Sequence, residues 1–105
     1  MANRFINSGP LSLDTNLLND FTDTVVVPEG ATLSTFFVVG KTGSHSTHEV
    51  TLQISPNGTN WFDTSKTLVG LGPKSPFDCI CINVRVKVTI AEGSASTCDI
   101  YIVAS

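Results

Sequence analysis

The run Ile80-Cys81-Ile82-Asn83-Val84-Arg85-Val86-Lys87-Val88-Thr89-Ile90 decides how this chain is built. Each even position is a β-branched aliphatic residue, and the odd ones are Cys, Asn, Arg, Lys and Thr. A period of two places alternate side chains on opposite faces of an extended strand, apolar toward a core and polar toward water or a partner. Val50, Leu52 and Ile54 alternate with Thr51, Gln53 and Ser55 in the same way, and Cys98, Ile100 and Ile102 share one parity near the end. No stretch keeps a helical period.

Turn formers separate these runs. Pro28-Glu29-Gly30 divides Val25–Val27 from Leu33–Val39, and Gly40-Lys41-Thr42-Gly43-Ser44 ends that second run and opens a polar loop. Ser55-Pro56-Asn57-Gly58 reads as a type I turn, with Pro presetting φ and Gly58 free to take the left-handed position, so the flanking segments form a hairpin. Gly70–Pro76 is a longer Gly/Pro loop, and Glu92-Gly93-Ser94-Ala95-Ser96 closes the last hairpin. The strands expected are 10–13, 22–27, 32–39, 48–55, 60–68, 77–82, 83–90 and 97–104, with 77–90 readable as one bent strand or two. Short strands, frequent turns and no crossover helix imply antiparallel pairing. The expected fold is all-β, an antiparallel two-sheet sandwich or jelly roll of seven or eight strands. Residues 1–20 read as an N-terminal arm or edge segment, and 21–105 as a single β-sandwich domain.

A chain of 105 residues has room for one core. The net charge of −3 and the scatter of six Lys and Arg leave no basic tract to follow a phosphate backbone, so no nucleic-acid partner is expected. No apolar run approaches the roughly 20 residues of a membrane-spanning helix, so no membrane partner is expected either. The opening residues lack the apolar centre of a secretory signal. An odd count of cysteines, Cys79, Cys81 and Cys98, argues against a disulfide framework and fits reduced thiols and folding in the cytosol. Cys98 belongs on the core face by its parity with Ile100 and Ile102.

Candidate chemistry is sparse. His45 and His48 are the two histidines, set in a Ser/Thr/Gly loop beside Glu49. With no Cys, Asp or third His at ligand spacing they read as a solvated loop rather than a metal site, and the Cys79-x-Cys81 pair has no second half-site. Asp14, Asp20 and Asp23 with Asn16 and Asn19 are rich in oxygen, but they lack the spacing of a calcium loop and suit polar turns. No Gly-x-Ser-x-Gly elbow occurs. No enzyme activity, catalytic residue, metal or cofactor is expected.

Surfaces carry more of the reading. Leu33, Thr35, Phe37 and Val39 share one face of their strand and Phe36 and Val38 the other, so both faces need cover, and a neighbouring subunit supplies the second. Trp61 and Phe62 lie on opposite faces just past the turn, one anchoring the core and the other at a rim or interface, and for Trp61 core packing is favoured over stacking on a sugar ring. Arg85 and Lys87 form a short basic stripe on the outward face.

Val50-Thr-Leu-Gln-Ile-Ser-Pro-Asn-Gly-Thr-Asn-Trp-Phe-Asp63, with Val84–Ile90, Asp99–Ala104 and the turn at Pro28–Leu33, resembles small β-sandwich virion proteins of tailed bacteriophages, over roughly residues 22–104. The nearest kinds are capsid decoration (cement) proteins and short neck or tail accessory proteins. The same hairpin also looks like that of discoidin-like and other carbohydrate-binding sandwiches, although this chain is shorter and lacks their framing cysteines. The virion resemblance implies a non-enzymatic structural protein, folded in the host cytoplasm and located in the virion. It implies partners in the major capsid protein or other virion proteins, and a homo-oligomer, a trimer first. The alternative is a carbohydrate- or receptor-binding module of a tail or fibre head. The interface residues expected are Arg4, Phe5 and Ile6 in the arm, with Phe36, Val38 and Trp61.

Overall fold

The fold is described from a computed structural model that covers residues 6–27, 30, 32–74 and 83–104. Among these residues there is no helix and there are nine strands: β1 (Ile6–Asn7), β2 (Leu11–Leu13), β3 (Val25–Val26), β4 (Leu33–Gly43), β5 (Glu49–Ser55), β6 (Phe62–Val69), β7 (Gly72–Pro73), β8 (Asn83–Ile90) and β9 (Ser96–Ala104). They form two antiparallel sheets, one ordered β1-β9-β4-β7 with β2 also on β9, the other ordered β3-β8-β5-β6. The expected two-sheet sandwich is the fold observed.

The alternation along β8 sets the second sheet's inner face. Val84, Val86 and Val88 are fully buried, and β5 aligns Val50 and Leu52 with them through the pairs Val50↔Val88 and Leu52↔Val86. The first sheet answers with Phe36 and Val38 from β4, Cys98, Ile100 and Ile102 from β9, and Leu13 from β2. Each such side chain contributes roughly 1.5–3 kcal/mol on leaving water. The cluster as a whole is therefore what holds the two sheets together.

The faces of β4 are the reverse of what the subunit reading needs. Phe36 is 0% exposed and Val38 2%, whereas Phe37 and Val39 point outward at 36% and 48%. Phe36 and Val38 are core residues because the register Phe36↔Ile102 and Val38↔Ile100 locks them to the inward parity of β9. The outward apolar pair on β4 is therefore Phe37 and Val39.

The strand β4 also runs four residues past Val39, through the segment expected to be loop. A register shift between Gly40 and Thr42 lets it continue to the pair Gly43↔Ser96. Gly43 has φ 79°, and a side chain there would strike the carbonyl of Ala95, so glycine fits that crossing for two reasons.

Other boundaries shift modestly. The strand expected at 22–27 narrows to Val25–Val26, with an isolated bridge from Phe21 to Lys87. The Gly/Pro loop contains the short edge strand β7. The 77–82 strand lies outside the described residues, as do Cys79, Cys81, Arg4 and Phe5. Ile6 pairs with Ala104 on the edge of the first sheet, and Leu11–Leu13 pairs with β9 further along. The turn after β5 is as read, with Gly58 at φ 77°.

Candidate functional site

Four loops converge at one end of the sandwich. His48 stands just before β5 and shares the inward parity of Val50 and Leu52, which drives its ring into the protein at 0% exposure. The reading of both histidines as solvated is thereby corrected for His48, while His45 is half-buried. The buried ring is fully partnered. Its Nδ1 faces Glu92 Oε1 at 3.2 Å and its Nε2 faces the Gly70 carbonyl at 2.8 Å. Both ring nitrogens are thus occupied by oxygen partners.

Glu92 sits in the β8–β9 connection at 5% exposure. Its Oε1 also accepts the backbone N–H groups of Thr47 and His48 at 3.1 and 3.0 Å. Burial alone would raise this carboxyl. The backbone donors of Thr47 and His48, with those residues' side chains, outweigh burial and lower it from 4.5 to about 2. A carboxylate held this way fixes the 45–48 loop against the β8–β9 hairpin, with the backbone of Glu92 tied to Thr15 at 2.8 Å.

Cys98 supplies the third member from β9. It is fully buried, as its parity predicts, and its thiol is free. Its Sγ lies 3.4 Å from His45 Nδ1 and 3.9 Å from Thr15 Oγ1. Burial pushes the thiol up, with the charges of Asp99 and Glu92 adding and the Thr15 contact opposing. Gly40 faces Cys98 across the β4–β9 ladder. A Cβ on Gly40 would sit 2.9 Å from His45 Cδ2 and Nε2, so the missing side chain makes the space His45 occupies. The rings of His45 and His48 meet edge to face with centroids 5.8 Å apart. The ligand-type atoms of His45, His48 and Cys98 all lie within 4.8 Å of one another.

A second organised feature covers the outer face of the other sheet. The Arg85 guanidinium is stacked 3.8 Å from the Phe21 ring and 4.2 Å from the Trp61 ring. Its Nε donates to Gln53 Oε1 and Gln53 Nε2 donates to Asp63 Oδ1, both at 2.7 Å. Trp61 is therefore half-buried on the outside of the sandwich rather than in the core, and Phe62 beyond it is 57% exposed. The expected solvated basic stripe is, at Arg85, a clamped stack. The oxygen-rich segment behaves as turn chemistry, with Asp14 Oδ1 and Asp20 Oδ2 accepting the backbone N–H groups of Asn16 and Asp14.

Comparison with protein-family models, with curated proteins and with solved structures finds no match to this chain.

Proposed function

We propose that this chain is a non-enzymatic structural protein of a phage virion, of the capsid decoration type, and that it works by docking the outer face of its first sheet. One observation carries the docking surface. Phe37 and Val39 stand two apart on the outward side of β4 at 36% and 48% exposure, and Phe37 is flanked across the sheet by Tyr101 on β9 and Pro73 on β7. A sheet face with a polar solvent side would alternate to Ser, Thr or charged residues there. Apolar side chains gathered on such a face are a usual mark of an interaction site.

The virion assignment rests on the resemblance of Val50–Asp63, Val84–Ile90 and Asp99–Ala104, and the two-sheet architecture is compatible with it. In this reading the Phe37 face meets a sister copy, a trimer being the favoured assembly, and the edge formed by β1 and β2 approaches the shell. A carbohydrate-binding role would use an open aromatic ring as a sugar platform. One face of Trp61 is instead taken by Arg85 at 4.2 Å, which supports the structural reading.

Sedimentation velocity of the full chain tests the self-association, and co-sedimentation with shells stripped of their own decoration protein tests the partner. Wild type is expected to sediment as an oligomer and to bind the shells, and Phe37→Asp is expected to give a folded monomer. A wild type that is monomeric at high concentration, ignores the shells and is retained on a polysaccharide column would overturn the reading in favour of sugar binding.

A further inference from the structure

We propose that His45, His48 and Cys98 form a binding site for a thiophilic transition metal, Zn²⁺ in the first place, with Glu92 orienting His48 from behind. The inference goes beyond the structural role above and does not depend on it. It starts from chemistry that the fold brings together from two distant stretches, since His45 and Cys98 are 53 residues apart and His48 and Glu92 are 44 apart.

Geometry is the first support. A tetrahedral Zn²⁺ with bonds of about 2.3 Å to sulfur and about 2.0–2.1 Å to nitrogen has an S···N edge of roughly 3.5 Å. The Cys98 Sγ to His45 Nδ1 separation is 3.4 Å. That edge is already formed. The full three-atom set spans up to 4.8 Å, wider than the roughly 3.4–3.5 Å edges of a tetrahedral site, so His48 must close in by up to roughly 1.4 Å. Ligation through Nε2 exchanges the Gly70 carbonyl for the metal while Nδ1 keeps its Glu92 partner.

The second support is the partner on the far nitrogen. Ligating histidines nearly always donate their other ring N–H to a carboxylate, carbonyl or water, which fixes the ring and strengthens it as a ligand. His48 Nδ1 is held in this manner by Glu92 Oε1, and Glu92 is itself anchored by two backbone N–H groups. The softness of the set is the third support. One thiolate and two imidazoles favour Zn²⁺ or Cu⁺ over Mg²⁺ or Ca²⁺, which take oxygen donors. Three protein ligands leave the fourth position to water, and half-exposed His45 lies on the solvent side of the set.

Binding displaces the Cys98 thiol proton, so affinity rises with pH. A metal there would join the 45–48 loop to β9 and stiffen this end of the sandwich, which stabilises the folded state by mass action.

The test is titration of the reduced full-length chain with Co²⁺, read by absorption, and with Zn²⁺, read by melting temperature. It is made in a Cys79→Ser/Cys81→Ser background so that the other two thiols cannot contribute. The expected result is one Co²⁺ per chain with the thiolate charge-transfer band and the strong visible bands of a tetrahedral site. Zn²⁺ should displace it and raise the melting temperature, while Mg²⁺ should do neither. His45→Ala leaves the His48–Glu92 pair untouched and should weaken binding at least tenfold. Cys98→Ser should abolish the thiolate band. The proposal is overturned if the folded double variant gives no thiolate band at stoichiometric Co²⁺, or if the band survives in Cys98→Ser.

Discussion

Adjacent residues on β4 offer a direct test of how the sandwich faces are assigned. Phe36 is fully buried between the sheets, whereas Phe37 is 36% exposed and stands opposite Tyr101 and Pro73 on the neighbouring strands. Replacing Phe36 by Ala removes a large ring from a close-packed core that can only partly collapse, at about 3–5 kcal/mol. A domain of this size has about 5–15 kcal/mol to lose in total. At about 4–8 °C per kcal/mol, the melting temperature should fall by roughly 12–40 °C. Phe37→Ala forfeits cross-strand contacts of about 0.2–1 kcal/mol and should cost only a few degrees. It should nevertheless loosen self-association, a property that a Phe36 variant reports only through loss of the fold. Thermal melts followed by far-ultraviolet circular dichroism at low concentration, where copies are dissociated, separate the two effects. Equal losses, or a reversed order, would mean that the register Phe36↔Ile102 is wrong by one residue.

Three further outcomes follow from the cluster and the stack. Glu92 has its carboxyl lowered from 4.5 to about 2. Its contribution is thus complete above pH 4.5 and is lost as pH falls toward 2, so Glu92→Gln should flatten this acid limb of a stability–pH profile. Gly40→Ala places a Cβ 2.9 Å from the His45 ring, whose side chain can swing away. Melting should change little while alkylation of Cys98 speeds up several-fold, and an unchanged rate would show that His45 does not shield the thiol. Arg85→Ala removes the donor to Gln53 Oε1, a side chain only 4% exposed, together with two ring contacts, at about 1–3 kcal/mol. Trp61 fluorescence should report it, and Arg85→Lys should not restore the signal because an ammonium lacks the flat stacking group.

The sheet architecture was legible because it rests on a local signal. Val84, Val86 and Val88 alternate with Arg85, Lys87 and Thr89, and a period of two has one physical meaning. Turn residues were equally direct, as Gly58 at a positive φ shows. The inner face of β4 was not legible, because Leu33, Thr35, Phe37 and Val39 look as fit for a core as Phe36 and Val38 do. What selects between them is pairing with Ile100 and Ile102, more than sixty residues later in the chain. Trp61 shows the same limit: a large aromatic is expected inside, but Arg85 on β8 offers its ring a cation to stack on outside.

The histidine–cysteine cluster was nearly hidden for a related reason, yet parity held a usable clue. Searching for ligands close to His45 and His48 in sequence finds none, because Cys98 arrives from β9 and Glu92 from the hairpin before it. Strand parity finds three of the positions. His48 precedes Val50, Leu52 and Ile54 on the even positions of β5, Gly40 follows Phe36 and Val38 on β4, and Cys98 leads Ile100 and Ile102 on β9. All three extend the inward series at one end of the sandwich. A polar or titratable residue at the end of an apolar series is buried by its neighbours and must find partners there. His45 escapes this logic, for it comes from the loop and lies where Gly40 has no side chain. The parity of a strand therefore predicts where chemistry is forced inside, while the loop that completes the set depends on a gap that only packing reveals.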